Sequence, residues 1–175
     1  MFETNTTVDE VQKTYLTCGL GDEKVALPVV RVKEILDPKP VTPLPHTPDF
    51  LLGYIDLRGE SILVADLRLL LARPYRDNEP DTRIIVLLVN VAGKEHAVGL
   101  RADRVFEVTR LDDDRLEEFA SEGLLNWDNR MVAGVGRRDG GFVTVLNLDG
   151  MFSTGVISEF HQQVGADQDA YREAG

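Results

Sequence analysis

The chain repeats itself. Val25-x-Leu27-x-x-x-x-Val32-x-Glu34-Ile35 has the same spacing as Val98-x-Leu100-x-x-x-x-Val105-x-Glu107-Val108. Further on, Gly53, Gly59, Ile62, Val64, Leu67, Leu70 and Leu71 find counterparts, in the same order, in Gly134, Gly140, Val143, Val145, Leu148, Met151 and Phe152. The second set stands further apart than the first. The extra length falls where a proline-rich loop of one half faces a longer acidic loop of the other, and insertions collect in surface loops. Short strands rich in Val and Leu match one another easily, so chance is the competing reading. The common order of glycines, glutamates and terminal apolar residues favours a real repeat. Such a chain is constrained to two similar β units. Neither half of a 175-residue chain buries much core alone, so the two should pack together with a groove between them.

Local patterns place the elements. Leu16, Cys18 and Leu20 alternate with Tyr15, Thr17 and Gly19, as in a half-buried strand. Gly21-Asp22 is a turn signal, and Val25, Leu27 and Val29 alternate again, which predicts a hairpin. Five of the eight prolines (Pro38, Pro40, Pro43, Pro45 and Pro48) crowd the stretch from Asp37 to Pro48. Each fixes φ and lacks an amide donor, so the stretch must be an extended surface loop. Strands are predicted from Gly53 to Leu57 and from Ile62 to Ala65 around an Arg58-Gly59-Glu60 turn. Asp66 is a candidate cap for a short helix whose Leu67, Leu70 and Leu71 share a face.

Arg73 to Asp81 is polar, carries two prolines and reads as the seam between subdomains. Strands follow at Ile84 to Val89, Ala97 to Leu100 and Arg104 to Val108, with Ala92-Gly93 turning the first into the second. Asp112 to Arg130 reads as a polar loop or partly helical insert. A last hairpin runs from Met131 to Val135 and from Phe142 to Leu148 around Asp139-Gly140-Gly141. Three regions are therefore expected: a flexible lead over 1–13, a folded unit over 14–153, and a tail over 154–175. The tail is expected to begin as an amphipathic helix through Val156, Ile157, Phe160 and Val164 and then fray.

Charge and chemistry exclude several functions. Nineteen basic residues against thirty acidic ones leave a net charge of −11, which repels nucleic acid and anionic lipid. One cysteine, Cys18, permits no internal disulfide and fits a reducing compartment. Met1 to Val11 lacks the pattern of a signal peptide, and the longest aliphatic run, Ile84 to Val89, is too short to span a bilayer. His46, His96 and His161 are isolated from other ligands, so no metal site is expected. Asp112-Asp113-Asp114 lacks the alternation and closing glutamate of a calcium loop. No nucleophile, phosphate cradle or cofactor motif stands out. Cys18, on the apolar side of its strand, reads as an inert buried thiol. An enzyme is not expected, and neither is a cofactor.

One segment is far more specific. Phe50-Leu51-Leu52-Gly53-Tyr54-Ile55-Asp56-Leu57-Arg58-Gly59-Glu60-Ser61-Ile62-Leu63-Val64-Ala65-Asp66-Leu67-Arg68 closely resembles the signature of the CheW-like coupling proteins. In that signature a glycine-led strand ends in Asn-Leu-Arg-Gly and the next in Asp-Leu-Arg; here Asp56 replaces the Asn, and Tyr54 a smaller aliphatic residue. Leu20-Gly21-Asp22-Glu23, Val32-Lys33-Glu34-Ile35, Pro45-x-x-Pro48, Gly99-Leu100-x-x-Asp103-x-Val105 and Val132-Ala133-Gly134-Val135-Gly136 also resemble family elements. The resemblance covers about residues 14 to 153.

The resemblance implies an all-β fold of two five-stranded SH3-like barrels packed together, with short helices. It implies a cytoplasmic, non-enzymatic adaptor that couples chemoreceptors to a CheA-type histidine kinase and joins membrane receptor arrays through its partners. The kinase's regulatory domain would bind at subdomain ends, and the receptor's helical hairpin tip in the groove between barrels. Carried over residue by residue, the expected partner-binding positions are Val32, Glu34, Gly53, Arg58, Thr82, Gly99, Val105 and Val108, with Arg58 paired to Glu34. The alternative is a CheW-like scaffold of a non-flagellar array, serving twitching motility or surface sensing. A CheV-like regulator would need a receiver domain, for which the tail is too short.

Overall fold

A strand buried on both faces needs an unbroken apolar run, and β6 (Arg83–Val91) has one from Ile84 to Val89. Ile84 and Val86 point into one core while Ile85, Leu87, Val89 and Val91 point into another. That division explains the whole architecture. The computed structural model describes residues 3–118 and 131–152. Within them lie β1 (Thr14–Leu20), β2 (Glu23–Pro28), β3 (Val32–Leu36), β4 (Leu51–Leu57) and β5 (Glu60–Asp66). After β6 come β7 (Lys94–Ala102), β8 (Arg104–Arg110), β9 (Val132–Arg138) and β10 (Gly141–Leu146). Helices α2 (Leu67–Leu70) and α3 (Leu148–Met151) follow β5 and β10.

Two five-stranded sheets result, ordered β8-β1-β2-β10-β9 and β3-β6-β7-β5-β4. The expected pair of β units is present. In the second sheet, Leu36 of β3, Ile55 and Leu57 of β4, Ile62 and Val64 of β5, and Ile84 and Val86 of β6 meet in one cluster. Edge strands at opposite ends of the order share a core, so the sheet curls toward a barrel. Ala26, Leu111, Val143 and Val145 fill the first sheet in the same way. The largest core lies between the two. Leu16, Cys18 and Leu27 from one sheet pack with Leu63, Ile85, Leu87 and Leu100 from the other, closed by Leu146, Met151 and Phe152.

The repeat runs along the chain, but the sheets do not follow it. Each sheet takes β strands from both halves. The joins are parallel: β2 with β10 through Val25↔Thr144 and Ala26↔Val145, and β5 with β7 through Leu63↔Val98 to Asp66↔Arg101. Arg73 to Asp81, expected as the seam, connects α2 to β6 within a single sheet. The chain changes sheets instead at the 3-10 turn Val29–Arg31 and at Asp103. Neither place carries a run of prolines, because each crossing is a step of one to three residues rather than a long linker.

The lead also differs from expectation. Glu3–Gln12 forms helix α1. Its last turn is closed by a Lys13–Asp9 ion pair at 3.1 Å and by the Thr14 hydroxyl donating to the Glu10 carbonyl at 2.7 Å. With only Val8 and Val11 apolar along an otherwise polar run, its periodicity is nearly silent in sequence. Asp112–Asp114 is a single 3-10 turn, and the expected insert beyond Glu118 and the tail helix lie outside the described residues.

Three two-residue hairpin turns place successive residues at positive φ: Arg58-Gly59, Ala92-Gly93 and Asp139-Gly140. Such turns match the right-handed twist of paired strands. The proline loop runs extended, as expected, and pairs with β4 through Thr42 and Tyr54, whose amides and carbonyls exchange bonds of 2.8 and 2.9 Å.

Candidate functional site

The Arg58-Gly59 turn sits at one end of the second sheet. Arg58 has φ 50°, a left-handed conformation that an arginine adopts at a cost, and such strain persists where the surroundings require it. The Asp56 carboxylate accepts the Gly59 amide at 2.9 Å and so braces the turn, as an Asn side chain would. Held this way, the Arg58 guanidinium donates to the Glu34 carboxylate of β3. The pair expected from the resemblance is therefore formed. The charge-assisted bond from Glu34 raises the pKa of Arg58 above its ordinary value. Arg58 is largely exposed and Glu34 half-buried, so the pair offers a fixed, solvent-facing charge pattern.

The other sheet repeats this pairing. Arg138, beside the Asp139-Gly140 turn, lies 3.4 Å from Glu107 of β8, the counterpart of Glu34. Sequence reading aligned Glu107 with Glu34 but did not single out Arg138. The turn is braced differently: Asp112 accepts the amides of Asp139 and Gly140 at 3.1 and 3.0 Å. Those bonds, Gly140's first, hold the Asp112 carboxyl below its usual range.

The apolar candidates gather through two β-bulges. In β3, Val32 stands opposite Leu87 and Ile35 opposite Ile85, with a register shift between Val32 and Glu34. In β8, Val105 stands opposite Cys18 and Val108 opposite Leu16, with a shift between those partners. Residues directly opposite across a ladder share a face. Leu87, Ile85, Cys18 and Leu16 all belong to the core between the sheets. A regular strand would send residues three apart to opposite faces; the extra residue of each bulge turns both to the same one. The buried Thr17 pins the β8 bulge, its hydroxyl donating to the Glu107 carbonyl at 3.1 Å and accepting the Glu107 amide at 3.3 Å.

Val32 and Val105 pack against the shared core, while Ile35 and Val108 are 43% and 58% exposed. Each edge strand therefore carries one anchored and one open aliphatic residue on the side that faces the other sheet. Ile35 was not singled out from sequence. Its signal was the repeat itself, which matches it to Val108, but the bulge that gives the match meaning is invisible in a linear pattern.

Three expected contact residues sit inside the fold. Gly53 is buried with φ 135°, and a Cβ there would lie 2.0 Å from the Thr42 carbonyl. The backbone that approaches it closely is the chain's own proline loop. Gly99 is buried on β7, where a Cβ would meet Ile84 and Val64 at 3.0 and 3.1 Å. Thr82 is buried and closes a turn with Glu79, its hydroxyl accepting the Glu79 amide at 2.9 Å. None of the three presents a side chain to solvent; each shapes the backbone beneath the surface.

Cys18 is fully buried, and burial pushes its thiol up to about 12. It is no nucleophile at neutral pH. Among the described residues no group of three or more His, Cys, Asp or Glu stands close enough to hold a metal ion. No helix among them is long and apolar enough to cross a membrane.

A family profile described as CheW-like domain matches residues 14–155. The chain is 30% identical over 133 residues to the chemotaxis protein CheW of Helicobacter pylori, covering 74% of this chain and 75% of that protein. It is 36% identical over 100 residues to Protein FrzA of Myxococcus xanthus, covering 57% and 60%. The crystal structure of the scaffolding protein TtCheW from Thermoanaerobacter tengcongensis is similar, with a TM-score of 0.69 and 28% identity over 81% of this chain and 92% of that one. Two curled five-stranded sheets around a shared core, the matched profile and these relatives agree: the chain belongs to the CheW-like domain family, chemotaxis scaffold proteins that are not enzymes.

Proposed function

We propose that this protein couples chemoreceptors to a CheA-type histidine kinase, binding each through a different surface. The observation that carries the reading is the pair of bulged edge strands, which turn Val32 and Ile35, and Val105 and Val108, to the side between the sheets. A helical hairpin presents rows of apolar side chains, and an apolar strip with a charged rim is the surface that suits it. The Glu34–Arg58 end supplies fixed charge and a rigid turn, which suit a flat contact with the kinase's CheW-like regulatory domain. Gly53, Thr82 and Gly99 act indirectly, by holding the backbone under these surfaces. Association with membrane-bound receptor arrays follows from the partners.

The test is a pair of titrations, one with the kinase regulatory domain and one with a soluble receptor hairpin tip. Arg58→Ala should weaken the first about tenfold, and Val108→Asp the second by a similar factor. Saturable binding by neither partner sinks the proposal. FrzA as a relative favours one second reading, in which the same surfaces serve a non-flagellar array. Titration against that array's kinase in parallel separates the two.

A further inference from the structure

The chain passes between its sheets twice, and each passage is held by the same three-part clamp. At the first, Arg31 donates to one carboxylate oxygen of Asp149 in α3 at 2.8 Å, and the other oxygen accepts the Asn90 amide of β6 at 2.9 Å. At the second, Arg68 of α2 donates to Asp103 at 3.3 Å, and the same Asp103 oxygen accepts the Gly21 amide of the β1–β2 turn at 2.8 Å. Arg76 adds a bond to Asp103 at 3.4 Å.

The repeat relates the two clamps. It aligns α2 with α3, so that Arg68 and Asp149 hold equivalent places. The polarity is reversed: arginine on the crossing and aspartate on the helix in one, aspartate on the crossing and arginine on the helix in the other. In each clamp the helix follows a strand of one sheet, and the amide comes from the other sheet. A single carboxylate therefore ties both sheets to the step between them.

The clamps stand immediately before the edge strands. Arg31 precedes Val32, the first residue of β3, and Asp103 precedes Arg104, the first of β8. We propose that Arg31, Asp149, Arg68 and Asp103 are positioning residues for the groove, setting where β3 and β8 hold Val32, Ile35, Val105 and Val108. The inference rests on the receptor-groove reading above. The Arg31–Asp149 side chains are 29% and 39% exposed, too open for their attraction to dominate folding. The sheets are already joined by the shared apolar core. Loss of the Arg31–Asp149 clamp should shift β3 without unfolding the protein; the Arg58 turn keeps its own bond to Asp56, and only its partner Glu34 moves with β3.

The test is a charge-reversal cycle on the full chain: Arg31→Asp, Asp149→Arg and the double variant, which recreates the polarity of the second clamp. Each is titrated with a receptor hairpin tip and with the kinase regulatory domain, and amide exchange is followed over residues 32–36. Each single reversal should weaken tip binding about tenfold and kinase-domain binding by a smaller factor, because only Glu34 of that contact lies on β3, and the double should recover most of both losses. Exchange over 32–36 should quicken in the singles and slow again in the double. Singles that bind the tip normally, or lose both partners equally, overturn the inference. If wild type itself binds no tip, the groove reading has failed, and exchange decides the positioning role: unchanged exchange over 32–36 in the singles overturns it. Asp103→Asn guards against misfolding of the reversals, with exchange read over 104–110 by the same criterion.

Discussion

Asp66 and Arg101 form an ion pair of 2.7 Å across the parallel β5–β7 join, with their side chains 0% and 5% exposed. The two residues are register partners. Asp66 has a second duty, accepting the Leu69 amide at 3.0 Å as the cap of α2. Arg101 has three more: it donates to Asn78 at 3.0 Å and to the Arg76 carbonyl, and its guanidinium lies 4.8 Å from the Tyr75 ring centre. One buried pair thus organises both the helix and the polar stretch after it. Asp66→Ala should cost about 3–5 kcal/mol, because it leaves a buried guanidinium without its counter-charge. Asp66→Asn, which keeps the cap, should cost less. Urea denaturation of the two variants checks both the size and the order.

Val105 and Val108 should separate by function. Val105 packs on the shared core, and its replacement by Ala should cost about 1 kcal/mol of stability. Val108 is mostly exposed, so Val108→Ala should stay within about 0.5 kcal/mol of wild type. Thermal unfolding beside a receptor-tip titration shows whether the residue that matters least for folding matters more for binding.

Gly53→Ala should destabilise the protein by about 2–4 kcal/mol, from the strained φ and the collision with the Thr42 carbonyl. Its proteolysis should begin in the proline loop at residues 37–48. A Gly53→Ala protein as stable as wild type, with the loop still protected, would contradict the close approach described here.

Cys18 should resist thiol reagents in the native state even at pH 9. With its pKa near 12, the folded thiol stays protonated where an unfolded one ionises. The unfolded state then binds fewer protons, so this group's contribution to stability falls as pH rises from about 9 toward 12. Labelling should follow global unfolding in urea. Rapid labelling in native buffer would place the thiol outside the shared core.

Much of the fold was legible because its signals are local. Alternation in Leu16, Cys18 and Leu20, the turn pairs at Arg58-Gly59, Ala92-Gly93 and Asp139-Gly140, the proline loop, the Asp66 cap and the repeat each follow from neighbouring residues. The Glu34–Arg58 pair was reached through resemblance and is formed. The tertiary structure alone decided four things. Parallel joins of β2 to β10 and β5 to β7 exchange strands between the halves, which no spacing within one half encodes. Bulges bring Ile35 level with Val32 and Val108 level with Val105, since one extra residue reverses every face after it. Gly53 and Gly99 lie under the surface because distant segments cover them, and Thr82 is buried where it closes a turn with Glu79. Arg31 meets Asp149, and Arg68 meets Asp103, only because the chain crosses between its sheets at those points. Sequence determined the strands, since their backbone preferences and apolar periods are properties of adjacent residues. Which strands share a sheet, and which charges meet across it, depended on burying one core between two halves that neither could close alone.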